Sequence, residues 1–348
     1  MSGAAIQVGL IGFGLAGRCF HAPLILADPQ LHLAAVATSR VAEAAAFRHD
    51  LVVYPDGEAL IRDPTLDLVV IATPSASHAP LARAALEAGK HVVIDKPFVV
   101  VPGEGEALAT LAVASGRVLA VFHNRRWDAD FLTLRRLLAG DRLGQVSDVA
   151  FAWDRFRPRI KQGWREQAGP GAGLLADLGP HLADQALILF GTPDRVTGDM
   201  AMQRDGVAVD DWFAVTLHYG EQRVLLAAST LAAAPRPRMA VNGVVGSYVK
   251  WGLDPQEAVL RAGGSPDDPG YGIEPPEAWG SLVTAEGSVA VPSERGDWRR
   301  FYAGVAAAIG DGGPPPVTPA EALVGLRLLG LARASAATGR TLAWDEEV

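Results

Sequence analysis

A glycine-rich turn stands between the first apolar run of the chain and its first helical stretch. The apolar run extends from Ile6 to Ile11, the turn reads Gly12-Phe13-Gly14-Leu15-Ala16-Gly17, and the helical stretch continues from Ala16 to Leu26. Glycines at these positions let the chain turn tightly, and they let a pyrophosphate approach the backbone at the N-terminus of a helix. The order of strand, G-x-G-x-x-G loop and helix therefore predicts a dinucleotide-binding unit.

Further apolar runs alternate with alanine-rich helical stretches through the first third of the chain. Runs without polar positions indicate strands that are buried on both faces, as in a parallel sheet covered by helices. We therefore expect an α/β protein with an N-terminal, doubly wound Rossmann domain over residues 1–122. Its expected strands are Ile6 to Ile11, Leu31 to Ala37, Leu66 to Ala72, His91 to Ile94 and Val118 to Phe122.

The pattern changes after residue 122. A helix from Asp130 to Leu138 precedes runs with more alternation, which follow one another with few helices between them. Such runs predict an α+β domain with a mostly antiparallel open sheet over residues 123–348. The apolar face of such a sheet needs a cover from helices or from another subunit, and we expect a homodimer or homotetramer. The expected strands are Val146 to Trp153, Asp211 to Tyr219, Arg223 to Thr230 and Gly246 to Trp251.

Two segments of the second half carry clear local signals. The stretch from Arg261 to Gly280 is rich in Gly, Pro and Asp, and it predicts one long loop. A final helix is expected from Pro319 to Ala337, because Thr318 is suited to the N-cap and proline to the first helical position. The pattern leaves open which of the two domains this helix packs on.

Composition excludes several classes of function. The 348 residues carry 31 basic and 39 acidic side chains, so the net charge of -8 lacks the positive field of a general nucleic-acid binder. The single cysteine, Cys19, cannot form an intramolecular disulfide and favours a reducing compartment. Met1 to Gln7 lack a secretory pattern, and the apolar runs are shorter than the roughly 18 residues of a membrane helix. We expect a cytoplasmic protein without nucleic-acid or membrane partners.

The end of the second expected strand indicates which dinucleotide binds. An acidic residue there would bond the ribose 2′-hydroxyl and repel a 2′-phosphate, but this chain has Thr38-Ser39-Arg40. Ser39 can donate a hydrogen bond to a phosphate, and Arg40 can grip it bidentately. We therefore expect NADP as the cofactor, with use of NAD also open.

Two further strands bring polar groups to the carboxyl edge of the Rossmann sheet. Thr73-Pro74 follows one strand, with His78 four residues after the proline, and Asp95-Lys96-Pro97 follows the next strand. Ligands of open α/β sheets bind outside this edge, and a following proline fixes the turn. A lysine placed there points into the binding crevice.

An Asp–His pair marks the second domain. Asp177 and His181 are in an i, i+4 relation, so they share a face if one helix spans both. Alternatively Pro180 begins a fresh helix and Asp177 lies on the turn before it. An acid/base pair is favoured over a metal site, because only Asp184 and the distant His123 add possible ligands.

These motifs together resemble the Gfo/Idh/MocA family of oxidoreductases, and the resemblance covers essentially the whole chain. The shared motifs are the glycine loop, Thr-Pro with its histidine, an acid-Lys-Pro at a strand end, and Asp-x-Gly-x-His-x-x-Asp. Departures are Asp95 in place of the commoner Glu, and Pro180 in place of a small polar residue. Four segments look like the branch of the NADP-dependent scyllo-inositol dehydrogenases: Gly12 to Pro23, His123 to Asp130, Trp164-Arg165-Glu166 and Asp184-Gln185-Ala186.

The resemblance implies roles for single residues. Lys96 would contact the reacting hydroxyl and the nicotinamide ribose, His181 would be the general base, and Asp177 would assist it. Further cofactor contacts would come from Thr73, Pro74, His78, Asp95, Asn124, Arg125, Trp164 and Arg165. Substrate contacts would come from His123, Asn124, Arg126, Trp127, Arg155 and Tyr271.

The expected activity is hydride transfer between a secondary hydroxyl of a cyclitol or sugar and NADP, with scyllo-inositol as the first candidate substrate. Dehydrogenases or reductases of another inositol or of an aldose remain open. A non-catalytic NADP-sensing regulator is a further alternative. The joint presence of Lys96, Asp177 and His181 argues against it, because a sensor needs no proton-transfer groups.

Overall fold

The computed structural model describes residues 5–161 and 163–347. The expectation about Met1 to Gln7 therefore falls mostly outside the described residues. Within them the chain forms two compact units, neither of which is continuous in sequence. The first unit comprises the described residues of Met1–Asn124, Gln256–Tyr271 and Asp297–Leu323, and the second those of Arg125–Pro255, Gly272–Gly296 and Val324–Val348. The functional division at residue 122 stays a prediction.

The first unit contains a six-stranded parallel sheet in the order β3-β2-β1-β4-β5-β6. Its strands are β1 (Ile6–Ile11), β2 (Leu31–Ala37), β3 (Val52–Tyr54), β4 (Leu68–Ile71), β5 (His91–Asp95) and β6 (Leu119–Phe122). Every residue of β4 is buried, as expected for a strand covered on both faces. The strand order reverses between β1 and β4, which is the doubly wound topology with its binding crevice beside β1. The expected Rossmann fold is confirmed.

Among the described residues, seven α-helices lie wholly within the first unit. They are α1 (Ala22–Leu26), α2 (Val41–Phe47), α3 (Gly57–Ile61), α4 (His78–Glu87), α5 (Pro102–Ser115), α8 (Gln256–Arg261) and α9 (Arg299–Asp311). The expected helical stretch after the glycine loop contains a π-helical turn, Gly17–His21, before α1 begins. The last two helices come from the second half of the chain and pack on the first unit, so the fold of this unit depends on distant segments.

The second unit is built on a nine-stranded sheet in the order β14-β13-β12-β11-β7-β10-β9-β8-β15. Its strands are β7 (Val146–Asp154), β8 (Arg195–Ala201), β9 (Trp212–Tyr219), β10 (Gln222–Ser229), β11 (Met239–Gly243), β12 (Ser247–Lys250), β13 (Gly280–Thr284), β14 (Gly287–Val291) and β15 (Leu342–Ala343). All neighbouring pairs are antiparallel except β7 and β10. The expected mostly antiparallel α+β architecture is therefore confirmed.

Two helices of the second unit, α6 (Ala129–Ala139) and α7 (Leu174–Phe190), pack their apolar residues with the inward-facing residues of β7, β9 and β10. The final helix, α10 (Pro319–Thr338), begins with a reciprocal cap. The Thr318 hydroxyl accepts the Glu321 N–H at 3.2 Å, and the Glu321 carboxylate accepts the Thr318 N–H at 2.8 Å. From Val324 onward α10 belongs to the second unit.

The helix α10 packs closely on β8 because residue 198 is a glycine. A Cβ at Gly198 of β8 would lie 2.1 Å from the Ala332 carbonyl oxygen, so only glycine allows this approach. The expected loop from Arg261 to Gly280 holds one short 3₁₀ turn, Pro276–Ala278. Among the described residues, the longest helices are too polar or too short to span a bilayer.

Candidate active site

The glycine loop has three glycines with different local requirements. Gly12 has a φ of +96°, and a Cβ there would lie 2.5 Å from the Ala72 carbonyl oxygen. A Cβ at Gly17 would lie 2.0 Å from the Gly12 carbonyl oxygen. A Cβ at Gly14 would meet no atom within 4 Å. The fold therefore explains Gly12 and Gly17, whereas the open space at Gly14 fits the close approach of a pyrophosphate to the backbone.

The other loop residues divide between the core and the surface. The Phe13 ring is buried and packs edge-to-face on Phe47 with the centroids 5.5 Å apart, so only its backbone is available to a ligand. The Leu15 side chain is half exposed, and Ala16 precedes the π-helical turn. A cofactor would be held here by backbone N–H groups rather than by side chains.

An unexpected carboxylate lies at the end of β2. Thr38 Oγ1 accepts the Arg40 N–H at 3.0 Å, Ser39 is exposed, and Arg40 is the N-cap residue of α2. The Arg40 guanidinium donates to Glu43 at 3.0 Å, and Arg18, next to the glycine loop, donates to the other oxygen of Glu43 at 3.0 Å. Sequence reasoning missed Arg18 and Glu43, although the i, i+3 spacing of Arg40 and Glu43 was a usable signal.

His78 joins the two turns at the carboxyl edge of the sheet. Its ring is buried, with Nδ1 2.9 Å from the Pro97 carbonyl oxygen and Nε2 3.0 Å from the Thr73 carbonyl oxygen. It thereby connects the turn after β4, which contains Pro74, with the turn that carries Lys96. His78 contributes to the shape of this edge through the backbone of both turns.

The backbone at Lys96 is fixed by Asp95, whose carboxylate accepts the Lys96 N–H at 2.8 Å. Behind Asp95 lies His21, which is fully buried, with Nε2 4.0 Å from the carboxylate and Nδ1 2.7 Å from the Tyr302 hydroxyl. Burial lowers the pKa of His21 to about 4, although the charge of Asp95 opposes the shift. A neutral imidazole therefore supports the end of β5.

In the second unit, Asp177 and His181 lie one turn apart on a single helix. The helix α7 runs unbroken through Pro180, so the alternative in which Pro180 begins a fresh helix is wrong. Its first turn is held by Asp210, whose side chain accepts the Leu175 N–H at 2.6 Å. The two candidate proton-transfer groups therefore share one helix face.

Two arginines hold the Asp177 carboxylate. Arg155 Nη1 is 3.2 Å from one oxygen, and Arg165 Nε is 3.4 Å from the other. The Arg165 guanidinium also stacks on Trp164 at 4.4 Å from the ring centroid. The structure thus brings four predicted site residues together: Asp177, Arg155, Arg165 and Trp164.

His181 rests on an aromatic ring that sequence reasoning missed. The Trp153 ring of β7 lies 5.7 Å from the His181 ring, centroid to centroid, at an angle of 31°. Three guanidinium groups surround Trp153, with Arg125 at 4.2 Å, Arg238 at 5.4 Å and Arg155 at 5.6 Å from its centroid. No spacing pattern relates these residues in sequence, so only the fold could assemble them.

Below this cluster, α7 is tied to the 3₁₀ turn Asn124–Trp127. Arg126 and Asp184 form a buried bidentate ion pair, with the nearest atoms 2.7 Å apart. Gln185 donates to the Arg125 carbonyl oxygen at 3.1 Å and accepts from Arg238 at 2.6 Å. Arg125 itself pairs with Asp128 at 3.1 Å. Arg125 and Arg126 are thus held by acidic partners, and Trp127 is half buried in the same turn.

The remaining predicted site residues belong to the first unit. His123 and Asn124 are buried directly after β6, and the Tyr271 ring is buried with Arg299 6.0 Å from its centroid. In the described ranges, 5–161 and 163–347, no three His, Cys, Asp or Glu side chains are grouped as a metal site.

Two family models together match most of the chain. One, described as an oxidoreductase family with an NAD-binding Rossmann fold, matches residues 6–123. The other, described as the C-terminal alpha/beta domain of an oxidoreductase family, matches residues 135–343. The boundary between the matches falls where the parallel sheet gives way to the mixed sheet.

Relatives of full length include proteins from two bacteria. The oxidoreductase YdgJ of Escherichia coli is 44% identical over 341 residues, 97% of this chain and 98% of the relative. The NADP-dependent scyllo-inositol 2-dehydrogenase IolW of Bacillus subtilis is 37% identical over 341 residues, 97% of this chain and 95% of the relative. The solved structure of the oxidoreductase yvaA of Bacillus subtilis matches with a TM-score of 0.95 and 36% identity, covering 99% of both chains.

Proposed function

The chain belongs to the Gfo/Idh/MocA family of oxidoreductases, and we propose that it is an NADP-dependent scyllo-inositol dehydrogenase. One observation carries the proposal: Asp177 and His181 share a face of α7, and Arg155 and Arg165 hold Asp177. This is a polar cluster suited to a substrate with many hydroxyl groups. The 37% identity to the scyllo-inositol dehydrogenase of Bacillus subtilis supports the choice of substrate.

The family resemblance suggests the role of each group in the proposed reaction. When bound, NADP⁺ would provide the nicotinamide ring that accepts the hydride. Lys96 binds the substrate hydroxyl and stabilises the alkoxide that develops as the proton leaves. His181 takes that proton, and we assign it to Nε2 because Nδ1 is buried. Asp177 stabilises the imidazolium that results, and its two arginines hold the Asp177 carboxylate in place.

The charged groups also favour a polyol over a less polar substrate. Arg155 and Arg165 are partly exposed, whereas Arg126 and Asp184 neutralise each other in the interior. Of the predicted substrate contacts, Arg155 is therefore a better source of donors for ring hydroxyls than Arg126. A site that pairs such hydroxyls rejects analogues that lack them by up to about 10,000-fold or more.

NADP is the proposed cofactor because Ser39 and Arg40 are exposed at the end of β2, where the adenosine ribose of a dinucleotide binds. The open space at Gly14 supports a bound pyrophosphate. A homodimer or homotetramer and a cytoplasmic location stay predictions, drawn from the open sheet and the single cysteine.

The test is a substrate panel with NADP⁺, in which kcat/KM is measured for scyllo-inositol, myo-inositol, glucose and xylose. We expect scyllo-inositol to lead by at least about tenfold, the discrimination that one hydroxyl contact of about 1.4 kcal/mol provides. A preference for an aldose would contradict the inositol assignment and keep the dehydrogenase. No turnover of any polyol, with tight NADPH binding, would favour the regulator.

A further inference from the structure

Glu43 lies between two arginines at the proposed adenosine end of the cofactor site. One carboxylate oxygen accepts from Arg18 Nη1 and the other from Arg40 Nη1, both at 3.0 Å. The two arginines come from different elements, since Arg18 lies in the π-helical turn after the glycine loop and Arg40 at the start of α2. All three side chains are between 38% and 55% exposed.

Stability alone is a weak reason for this arrangement. Exposed ion pairs contribute about 0 to 1 kcal/mol in general, because water screens the charges and ordering the side chains costs entropy. An acidic residue in the first turn of α2 is favourable for the helix dipole, but that effect needs neither arginine. The pairing of Glu43 with both arginines is better explained by its position beside the glycine loop.

The end of β2 is where dinucleotide-binding folds distinguish the ribose 2′-hydroxyl from a 2′-phosphate. Directly after β2 the chain has Thr38, Ser39 and Arg40, without an acid. The acid is instead supplied three residues later, by Glu43, and it is bound to the arginine that would grip the phosphate. A 2′-phosphate that approaches Arg40 therefore meets an arginine already paired with a carboxylate.

We propose that Glu43 is a specificity-determining residue that limits the preference for NADP over NAD, because its carboxylate competes with the 2′-phosphate for Arg18 and Arg40. The proposal rests on the proposed function only in taking this end of β2 as the ribose site. It also assigns Arg18 as a second phosphate-binding arginine, beside Arg40. Glu43 thereby narrows the difference in affinity between NADPH and NADH.

The size of the effect follows from the charges. A phosphate monoester carries about -1.5 to -2 at neutral pH, and the carboxylate carries -1. At a few ångströms in a solvent-exposed site, repulsion between such groups changes an affinity by about fivefold to tenfold. Because the site is exposed, added salt must weaken the effect.

The experiment measures the dissociation constants of NADPH and NADH by cofactor fluorescence, for the wild type and for Glu43→Gln. Glutamine has the shape of glutamate without its charge, and Glu43 is on the surface, so the fold is retained. We expect NADPH to bind about fivefold to tenfold more tightly and NADH to change less than twofold. In 0.5 M salt the gain should shrink to about half or less.

Two further variants make the result specific. Glu106→Gln removes the same charge from an exposed position of α5 and should leave both dissociation constants unchanged. Arg18→Gln should weaken NADPH several-fold and leave NADH within about twofold. An unchanged or lowered NADPH-to-NADH preference in Glu43→Gln would overturn the proposal.

The wild-type affinities alone test whether NADP is the cofactor. If the wild type binds NADH more tightly than NADPH, NADP is the wrong cofactor. The change in the ratio between wild type and Glu43→Gln still decides the role of Glu43 in that case.

Discussion

The glycine loop and the Asp177–His181 cluster are built in different ways. The loop is one continuous stretch whose backbone forms the site, because an added Cβ at Gly12 or Gly17 would overlap a backbone oxygen and Gly14 leaves space. The cluster on α7 is assembled from separate elements, with Trp153 from β7 below His181 and Arg155 and Arg165 on Asp177. A local motif therefore prepares the cofactor site, and tertiary packing prepares the site of proton transfer.

This difference has a consequence for mutations. At Gly12 and Gly17 the loop has no room for an added Cβ, so substitutions there affect folding, whereas an added Cβ at Gly14 affects cofactor binding. A cluster made of side chains can lose a functional group while the fold remains, so its failures affect activity.

Removing a proton-transfer group should affect catalysis alone. His181→Asn and Lys96→Ala should each lower kcat by about 100-fold to 10,000-fold, since each removes a positioned acid/base or charged group. NADPH affinity should stay within a few-fold. His49→Asn, at an exposed position between α2 and β3, is the matched control and should retain full kcat. Unchanged kcat across the pH range in His181→Asn would remove it from the role of general base.

Substitutions at Gly17 and at Gly14 should separate folding from binding. In Gly17→Ala the new methyl group overlaps the Gly12 carbonyl oxygen, so we expect the free energy of unfolding to fall by about 3 kcal/mol or more. In Gly14→Ala the methyl group meets no protein atom, so stability should change by less than about 0.5 kcal/mol. Urea denaturation measures both values.

The same Gly14→Ala variant should bind NADPH at least about tenfold more weakly, because its methyl group occupies the space left for the pyrophosphate. Retained NADPH affinity in Gly14→Ala would mean that the cofactor does not approach the loop there. Equal stabilities of the two variants would mean that the glycines do not differ as the structure indicates.

A further predicted effect concerns pH and the buried His21. Burial lowers its pKa to about 4 in the folded chain, whereas an unperturbed imidazole has a pKa of about 6.5, so between these pH values the unfolded chain binds a proton that the folded chain does not. The free energy of unfolding should therefore fall as the pH falls from 6.5 towards 4, by about 3 kcal/mol from this residue.

The measurement is urea denaturation at several pH values for the wild type and for His21→Phe. The variant should lose this part of the slope below pH 6.5, whatever its stability at pH 7, while His49→Gln should keep it. The slope is the decisive quantity, because the lost hydrogen bond to Tyr302 lowers the stability of His21→Phe at every pH. A wild-type slope in His21→Phe would place the proton uptake elsewhere.

Much of the fold could be predicted from local patterns. The strand β1, the order of strand, glycine loop and helix, and the cap of α10 at Thr318 each depend on neighbouring residues, and the structure contains all of them. The expected strand Leu66 to Ala72 is shorter in the structure, Leu68–Ile71, because only these four residues pair with both neighbouring strands.

Elements that lack a periodic pattern were missed. The strand β3 has only three residues, and β8 contains Gly198 and Asp199, which disfavour a strand unless neighbours support it. The sheet supplies that support, since β8 pairs with β9 and its glycine accommodates α10. The helix α9 was missed as well, and its place in the first unit depends on contacts such as Tyr302 with His21.

The sequence by itself determined the fold class, the family and the glycine loop, because these depend on residue order and on backbone geometry over short distances. The tertiary structure decided which charges meet: Glu43 with Arg18 across 25 residues, Asp177 with Arg155 across 22, and Asp184 with Arg126 across 58. Charged side chains have no periodicity that records their partners, and electrostatic attraction acts through space rather than along the chain. Only the folded chain therefore determines which arginine pairs with which acidic residue.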